Sequence, residues 1–150
     1  MATDPLILTF SSDTDTHAAA DVVAAPEELV NFSREAGRGV LIESIVVIDE
    51  SDTGAAIDLV FLDASGSIGA ESAAFTMTDA VALTCIGIVP VVASDYKDAV
   101  DNKIATVTNI GLLLHPTNAA TSVWVGVVAR SAITPAATDD ITIKIGRVYA

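Results

Sequence analysis

Asp13, Asp15 and His17 alternate along the polar run Ser11–His17. Alternate residues of an extended segment point the same way, so these three can address a single metal ion. The competing reading is a solvated acidic loop, and a single short polar segment favours it. Asp95, Asp98, Asp101 and Asn102 form a second acidic group. It lacks the mid-loop glycine and terminal glutamate of an EF-hand, and Lys97 and Lys103 are neighbours, so exposed carboxylates are the favoured reading over calcium.

Nucleophilic catalysis has little to draw on. The chain holds two histidines, His17 and His115, and either one would have to serve a Ser–His–Asp triad. His115 precedes Pro116 at a strand end, a structural position. No serine sits in a G-x-S-x-G elbow, and no P-loop, H-E-x-x-H or G-x-G-x-x-G motif occurs. Asp139–Asp140 reads as a turn before the last strand rather than a glycosidase pair. The single cysteine, Cys85, lies in an apolar run and reads as an unreactive thiol. No catalytic residue, cofactor or metal site is therefore expected. Trp124 can serve as a sugar-stacking platform, but its apolar neighbours favour a core or interface role. Arg34 and Arg38 stand out in an acidic chain as candidates for a carboxylate-bearing partner, against the plainer reading of a local surface ion pair.

The composition bounds the partners. Seven Lys and Arg stand against 20 Asp and Glu in 150 residues, a formal net charge of -13, while hydrophobic residues make up 51%. That apolar content excludes disorder for most of the chain. The charge argues against nucleic acid and against an anionic membrane surface. The uncharged stretch Ala80–Ser94 is too short to span a bilayer and contains Pro90, and polar residues break Ile104–Ala129, so a soluble chain is expected.

The elements that must position these residues read as strands. Short segments rich in Val, Ile and Thr are separated by clusters of Gly, Asp, Ser, Asn and Pro. Strands are expected at Leu6–Phe10, Val40–Asp49, Ala56–Leu62, Ile104–Asn109, Gly111–Leu114, Ser122–Arg130 and Ile141–Arg147. Weaker strand patterns cover Ala18–Val23 and Phe75–Met77, and a long apolar run covers Val81–Val92. Val40–Asp49 is apolar on both faces, with Leu41, Ile45 and Val47 opposite Val40, Ile42, Val46 and Ile48. Two apolar faces allow a core on one side and a subunit contact on the other. The tight acidic turn Glu50–Gly54 predicts a β-hairpin between this strand and the next. Pro26–Ala36 carries the signature of a short helix, and Ser94–Asn102 that of one or two helical turns. The expectation is an all-β, single-domain antiparallel β-sandwich or jelly-roll-like barrel with one or two short helical turns. Residues 1–21 would form an N-terminal arm or a first strand plus loop, and residues 22–150 the β-sandwich domain.

Several of these runs together resemble a known family: Gly39–Asp49 (GVLIESIVVID), Ala56–Asp63 (AIDLVFLD), Ile86–Pro90 (IGIVP) with Ala93–Tyr96 (ASDY), Ile104–Gly111 (IATVTNIG), Ser122–Arg130 (SVWVGVVAR) and Asp140–Gly146 (DITIKIG). In this order the chain resembles the capsid decoration (cement) proteins of tailed bacteriophages, and suggests a phage of a marine bacterium. The resemblance spans Val22 to Arg147 and rests on strands and turns rather than on a catalytic signature. It implies an all-β virion protein, often a homotrimer, on the outer capsid surface. Its partners would be the major capsid protein and further copies of itself. Its work would be mechanical, bridging capsomers against the pressure of packaged DNA. The interface candidates are Leu6, Leu8 and Phe10, Arg34 and Arg38, Leu41, Ile45 and Val47, and Trp124. The alternative is a phage tail or head-fibre module, or a receptor-binding module, although no repeat or stem is visible. A carbohydrate-binding module has only Trp124, Tyr96 and Tyr149 for a stacking surface.

Overall fold

The computed structural model describes residues 6–149. Among them run nine strands: β1 (Leu6–Phe10), β2 (Val22–Leu29), β3 (Val40–Asp49), β4 (Ile57–Leu62), β5 (Cys85–Val91), β6 (Tyr96–Asp98), β7 (Lys103–Leu114), β8 (Val123–Ala129) and β9 (Ile141–Tyr149). One short helix, α1 (Asp79–Ala82), and a 3-10 turn at Ala93–Asp95 complete the described elements. All pairings are antiparallel. One sheet has the order β1-β9-β3-β7-β6 and the other β2-β8-β4-β5. The inner faces of both sheets feed one core, including Phe10, Ile45, Val47, Leu59, Phe61, Val125 and Ile143, so the domain is an all-β sandwich.

The last strand shows how directly the pattern maps onto the fold. Ile141, Ile143 and Ile145 are buried while Thr142, Lys144 and Gly146 face outward. Strand β1 adds the edge beside it, with Leu6, Leu8 and Phe10 in register with Ile145, Ile143 and Ile141. Phe10 is fully buried, and Leu6 and Leu8 pack against the core. The described part of the N-terminal segment is thus a first strand and a loop, and residues 1–5 lie outside the described residues.

Several local expectations are corrected. The segment 26–36 is not a helix. Strand β2 runs through Pro26, at a register irregularity between Ala24 and Glu27 on the edge of its sheet. An edge bulge tolerates a residue with no N–H to donate. Strands β3 and β4 do not form a hairpin. They belong to different sheets, and Glu50–Ala56 crosses between them. Asp49 holds this crossing: it is 1% exposed, its Oδ1 accepts from Ser51 N and Ser51 Oγ, and its Oδ2 accepts from Gly54 N at 2.7 Å. Within β3, a bulge between Ile42 and Ser44 reverses the facing of everything after it. Ile45 and Val47 therefore join Val40 and Ile42 in the core, while Val46 and Ile48 turn outward. The two strands expected at 104–109 and 111–114 are the single strand β7, with Asn109 and Gly111 at positive φ in its own irregularity. Of Ser94–Asn102, only the 3-10 turn is helical, and β6 follows it at once. Phe75–Met77 forms no strand, and α1 takes the start of the Val81–Val92 run.

The long connection 63–84 has a specific job. It lies over the outer face of the four-stranded sheet, where Ile68, Phe75, Met77 and Val81 pack with Val22, Val60, Leu62 and Val128 in a second core. Backbone bonds fasten it, from Val22 N to Ala73 O at 2.8 Å and from Phe75 N to Ala20 O at 2.8 Å. Gly126 makes room beneath it: a Cβ there would lie 2.6 Å from Ile68 Cδ1. Gly126→Val is expected to lose about 1–3 kcal/mol through overpacking. Phe10→Ala is expected to lose about 3–5 kcal/mol, because β1 carries part of the core. Chemical denaturation of both variants checks these values. A wild-type midpoint for Phe10→Ala would show that β1 is dispensable.

Candidate functional site

Among the described residues, neither acidic group gathers three side chains around one point. His17 is fully buried, and its Nε2 lies 3.0 Å from Asp13 Oδ1 in an arrangement too bent for a hydrogen bond. Ser72 Oγ donates to Asp13 Oδ2 at 2.9 Å and lies 3.4 Å from His17 Nδ1. Asp15 is exposed, and its backbone N–H donates to Asp13 Oδ1. Asp13 thus joins the 11–21 loop to the covering segment. The same serine oxygen that would be a nucleophile donates to a carboxylate, and the histidine is sealed from substrate. In the second group Asp95 accepts from Val92 N, and Asp98 from Val100 N, so these carboxylates shape turns. Among the described residues, no group of three or more His, Cys, Asp or Glu is placed to hold a metal ion. His115 is exposed and its ring lies over Gly39. Cys85 is half-buried at the start of β5.

What remains is surface, and two parts of it are unusual. The first is the outer face of the five-stranded sheet. Antiparallel sheets exposed to water normally alternate apolar inward and polar outward. Here the outward rows follow from the register. Leu41 lies between Val148 and Leu113, Val46 between Lys144 and Thr106, and Ile48 between Thr142 and Ile104. Ile7, 57% exposed, continues the Val46 row on β1, and Lys97 ends the Ile48 row on β6. Leu113 is 49% exposed. These paired rows hold aliphatic residues, threonines and lysines and no carboxylate, although the chain carries 20. Glu43 sits in the bulge, outside the rows. Unlike the four-stranded sheet, this face has no covering segment among the described residues.

The second is an arginine corner at the end of the sandwich where β3 begins and β9 finishes. The loop between β2 and β3 is tied to the β7–β8 connection by Ser33 N to Thr121 O and Gly37 N to Ala120 O. Gly37 takes a positive φ there, and a Cβ would meet the Asn118 backbone at 2.9 Å. This loop presents Arg34 and Arg38. Arg38 pairs with Glu35 at 3.1 Å, both well exposed. The guanidinium of Arg34 stands 4.5 Å from the Tyr149 ring centroid.

The nine interface candidates divide accordingly. Phe10, Ile45 and Val47 are core residues and cannot be contact residues, because the bulge in β3 and the pairing of β1 turn them inward. Leu6 and Leu8 also face inward, half-buried. Trp124 is half-buried against the second core. Leu41, Arg34 and Arg38 are on the surface. Sequence alone does not single out the outward Ile7, Val46, Ile48 and Leu113 as contact residues, nor the buried Arg147, nor Tyr149 as a partner of the arginines. The outward aliphatics were hidden because a bulge leaves no mark in an unbroken apolar run. A clue to Arg147 was available: it is the inward position after Ile141, Ile143 and Ile145.

One carboxyl near the covering segment is perturbed. Burial pushes Glu27 above the usual carboxylate range, the Ser11 N–H opposes this, and Glu71 adds to it. The folded state therefore holds this proton more tightly than the unfolded state. The resulting stabilisation is present below the unfolded pKa and is lost as pH rises through the folded one. Glu27→Gln is expected to raise the melting temperature at neutral pH, with the gain closing below about pH 4. A pH series of thermal melts checks this, and a gain that grows on acidification would contradict it. Comparison with known proteins finds no matching family model, no matching curated protein and no matching solved structure.

Proposed function

We propose that this chain is a structural virion protein, a capsid decoration protein that binds the outer surface of a tailed-phage capsid and stabilises contacts between capsomers of the major capsid protein. The observation that carries this reading is the asymmetry of the two outer faces. One is covered over β2, β8 and β4 by the chain's own 63–84 segment, with Ile88 left 43% exposed on β5, and the other offers aliphatic, threonine and lysine rows without a paired carboxylate. Exposed aliphatic rows of this kind, free of carboxylates, support a contact role. The sequence resemblance supplies the identity of the partner.

The rest of the molecule supports a binding role without catalysis. The three residues closest to a triad, Asp13, His17 and Ser72, are locked together around a fully buried ring. The net charge of -13 keeps free copies apart and away from packaged DNA. On a lattice, modest contacts per copy suffice, since further copies in a homotrimer would add avidity.

The test is co-sedimentation with mature capsids stripped of decoration, with the molar mass of the free protein recorded alongside. Wild-type protein is expected to saturate at a fixed ratio to the major capsid protein. Val46→Glu places a carboxylate in the middle of the outward rows, and is expected to bind at least about tenfold more weakly with an unchanged fold, from loss of apolar contact. Binding to tails or host envelopes instead of shells would favour the fibre or receptor-binding reading. Undiminished shell binding by Val46→Glu would remove this face from the account.

A further inference from the structure

We infer that the arginine corner is a carboxylate-binding site, and that its ligand is an acidic segment of another polypeptide. Arg34, Glu35, Arg38, Ser33 and Tyr149 line an open cavity of about 280 Å³. Arg147, only 6% exposed, does not line the cavity but packs near the Tyr149 ring that does. Its Nη1 donates to the backbone oxygens of Asn31 and Phe32 at 2.6 and 2.8 Å, while its Nε has no partner. Its guanidinium lies 4.9 Å from the same Tyr149 ring that Arg34 covers at 4.5 Å. Two cations thus share one aromatic ring, and a third stands beside them. Among the described residues, Glu35 is the one carboxylate lining the cavity, and it pairs with Arg38. Among the described residues, no carboxylate lies within 4.0 Å of Arg34 or Arg147.

The arrangement runs against the rest of the chain. The domain holds only four arginines among its 150 residues, and three of them converge here. Among the described residues Arg147 has no carboxylate within 4.0 Å; a buried guanidinium so placed is costly, and gathering further cations around it raises that cost. An anion in the cavity offsets it. Guanidinium forks fit carboxylates, to which they donate paired hydrogen bonds. A free carboxylate in so open a cavity gains little against water. A carboxylate carried on a peptide also gains backbone and side-chain contact with Tyr149 and Ser33. The favoured ligand is therefore an Asp or Glu side chain presented by a protein. The inference stands apart from the capsid reading, since it uses neither the outward rows nor a shell.

The test uses nitrogen-15 NMR of the arginine Nε–H groups at low salt. The probes are an end-capped peptide of alternating Gly and Asp, the same peptide with Asn for Asp, sodium acetate and inorganic phosphate. The Asp peptide is expected to shift the Arg34 and Arg147 signals saturably while the Asn peptide does not. Arg34→Gln is expected to weaken the Asp peptide about tenfold, the loss of one charge-assisted pair, with an unchanged melting temperature. Equal response to the Asn peptide would overturn the carboxylate assignment. Acetate or phosphate acting at the same concentration as the Asp peptide would overturn the polypeptide source. An absence of saturable shifts with every probe would overturn the site itself.

Discussion

A two-sheet sandwich has four faces, and burying two of them against each other leaves the other two to be dealt with. In this chain both sheets are apolar on the outside as well as within, so ordinary solvation of the outer faces is not enough. The four-stranded sheet is served by the chain itself. The 63–84 segment brings Ile68, Phe75, Met77 and Val81 down onto Val60, Leu62 and Val128, and Gly126 gives up its side chain to let Ile68 in. Asp13, Ser72 and His17 pin the segment to the neighbouring loop. The same device does not reach the five-stranded sheet, whose outward Leu41, Val46, Ile48 and Leu113 stay partly exposed. The placement of the cover decides which surface is available, and the proposed function follows from that placement.

Charge sharpens the difference. Asp49, Glu50, Asp52, Asp98, Asp101, Asp139 and Asp140 gather at the end of the sandwich where β3 finishes and β7 and β9 begin. Some are structural: Asp140 Oδ2 accepts from Ala136 N and Ala137 N, and Asp49 holds the crossing between sheets. Burial, with Asp49 and Asp95 nearby, pushes the Tyr96 hydroxyl up and keeps it neutral in this acidic surrounding. Arg34, Arg38 and Arg147 gather at the opposite end. The outward rows of the large sheet belong to neither group. A strongly negative molecule with one carboxylate-free, largely aliphatic face and one cationic corner resists association in general while leaving two chemically distinct places for it.

Much of this fold is legible in the residues, and the parts that are not have identifiable causes. Ile141, Ile143 and Ile145 alternate without interruption, so the last strand and its inner face can be read directly. The β-branched runs at 40–49, 57–62 and 123–129 likewise mark strands. What a linear pattern cannot show is which strands pair. The Asp-rich turn after β3 looks the same whether it closes a hairpin or carries the chain to the other sheet; in the fold Asp49 accepts from three donors within the crossing. Facing is lost in the same way at the bulge in β3, because Val40–Asp49 is apolar at both parities. Pro26 with Glu27 and Glu28 imitates a helix start, and the pairing with β8 overrides that local preference. For the surface, Arg34 and Arg38 were visible as unusual cations, but Arg147 and Tyr149 join them only through tertiary packing.

The central claim is that the five-stranded sheet is the face turned to a partner. A cryo-electron microscopy reconstruction of capsids decorated with this protein tests it most directly. The expected density has β3, β7 and β9 lying against the shell, with Leu41, Val46, Ile48 and Leu113 in the contact and the 63–84 segment facing solvent. Density that places the 63–84 segment on the shell and leaves those four residues in solvent would contradict it.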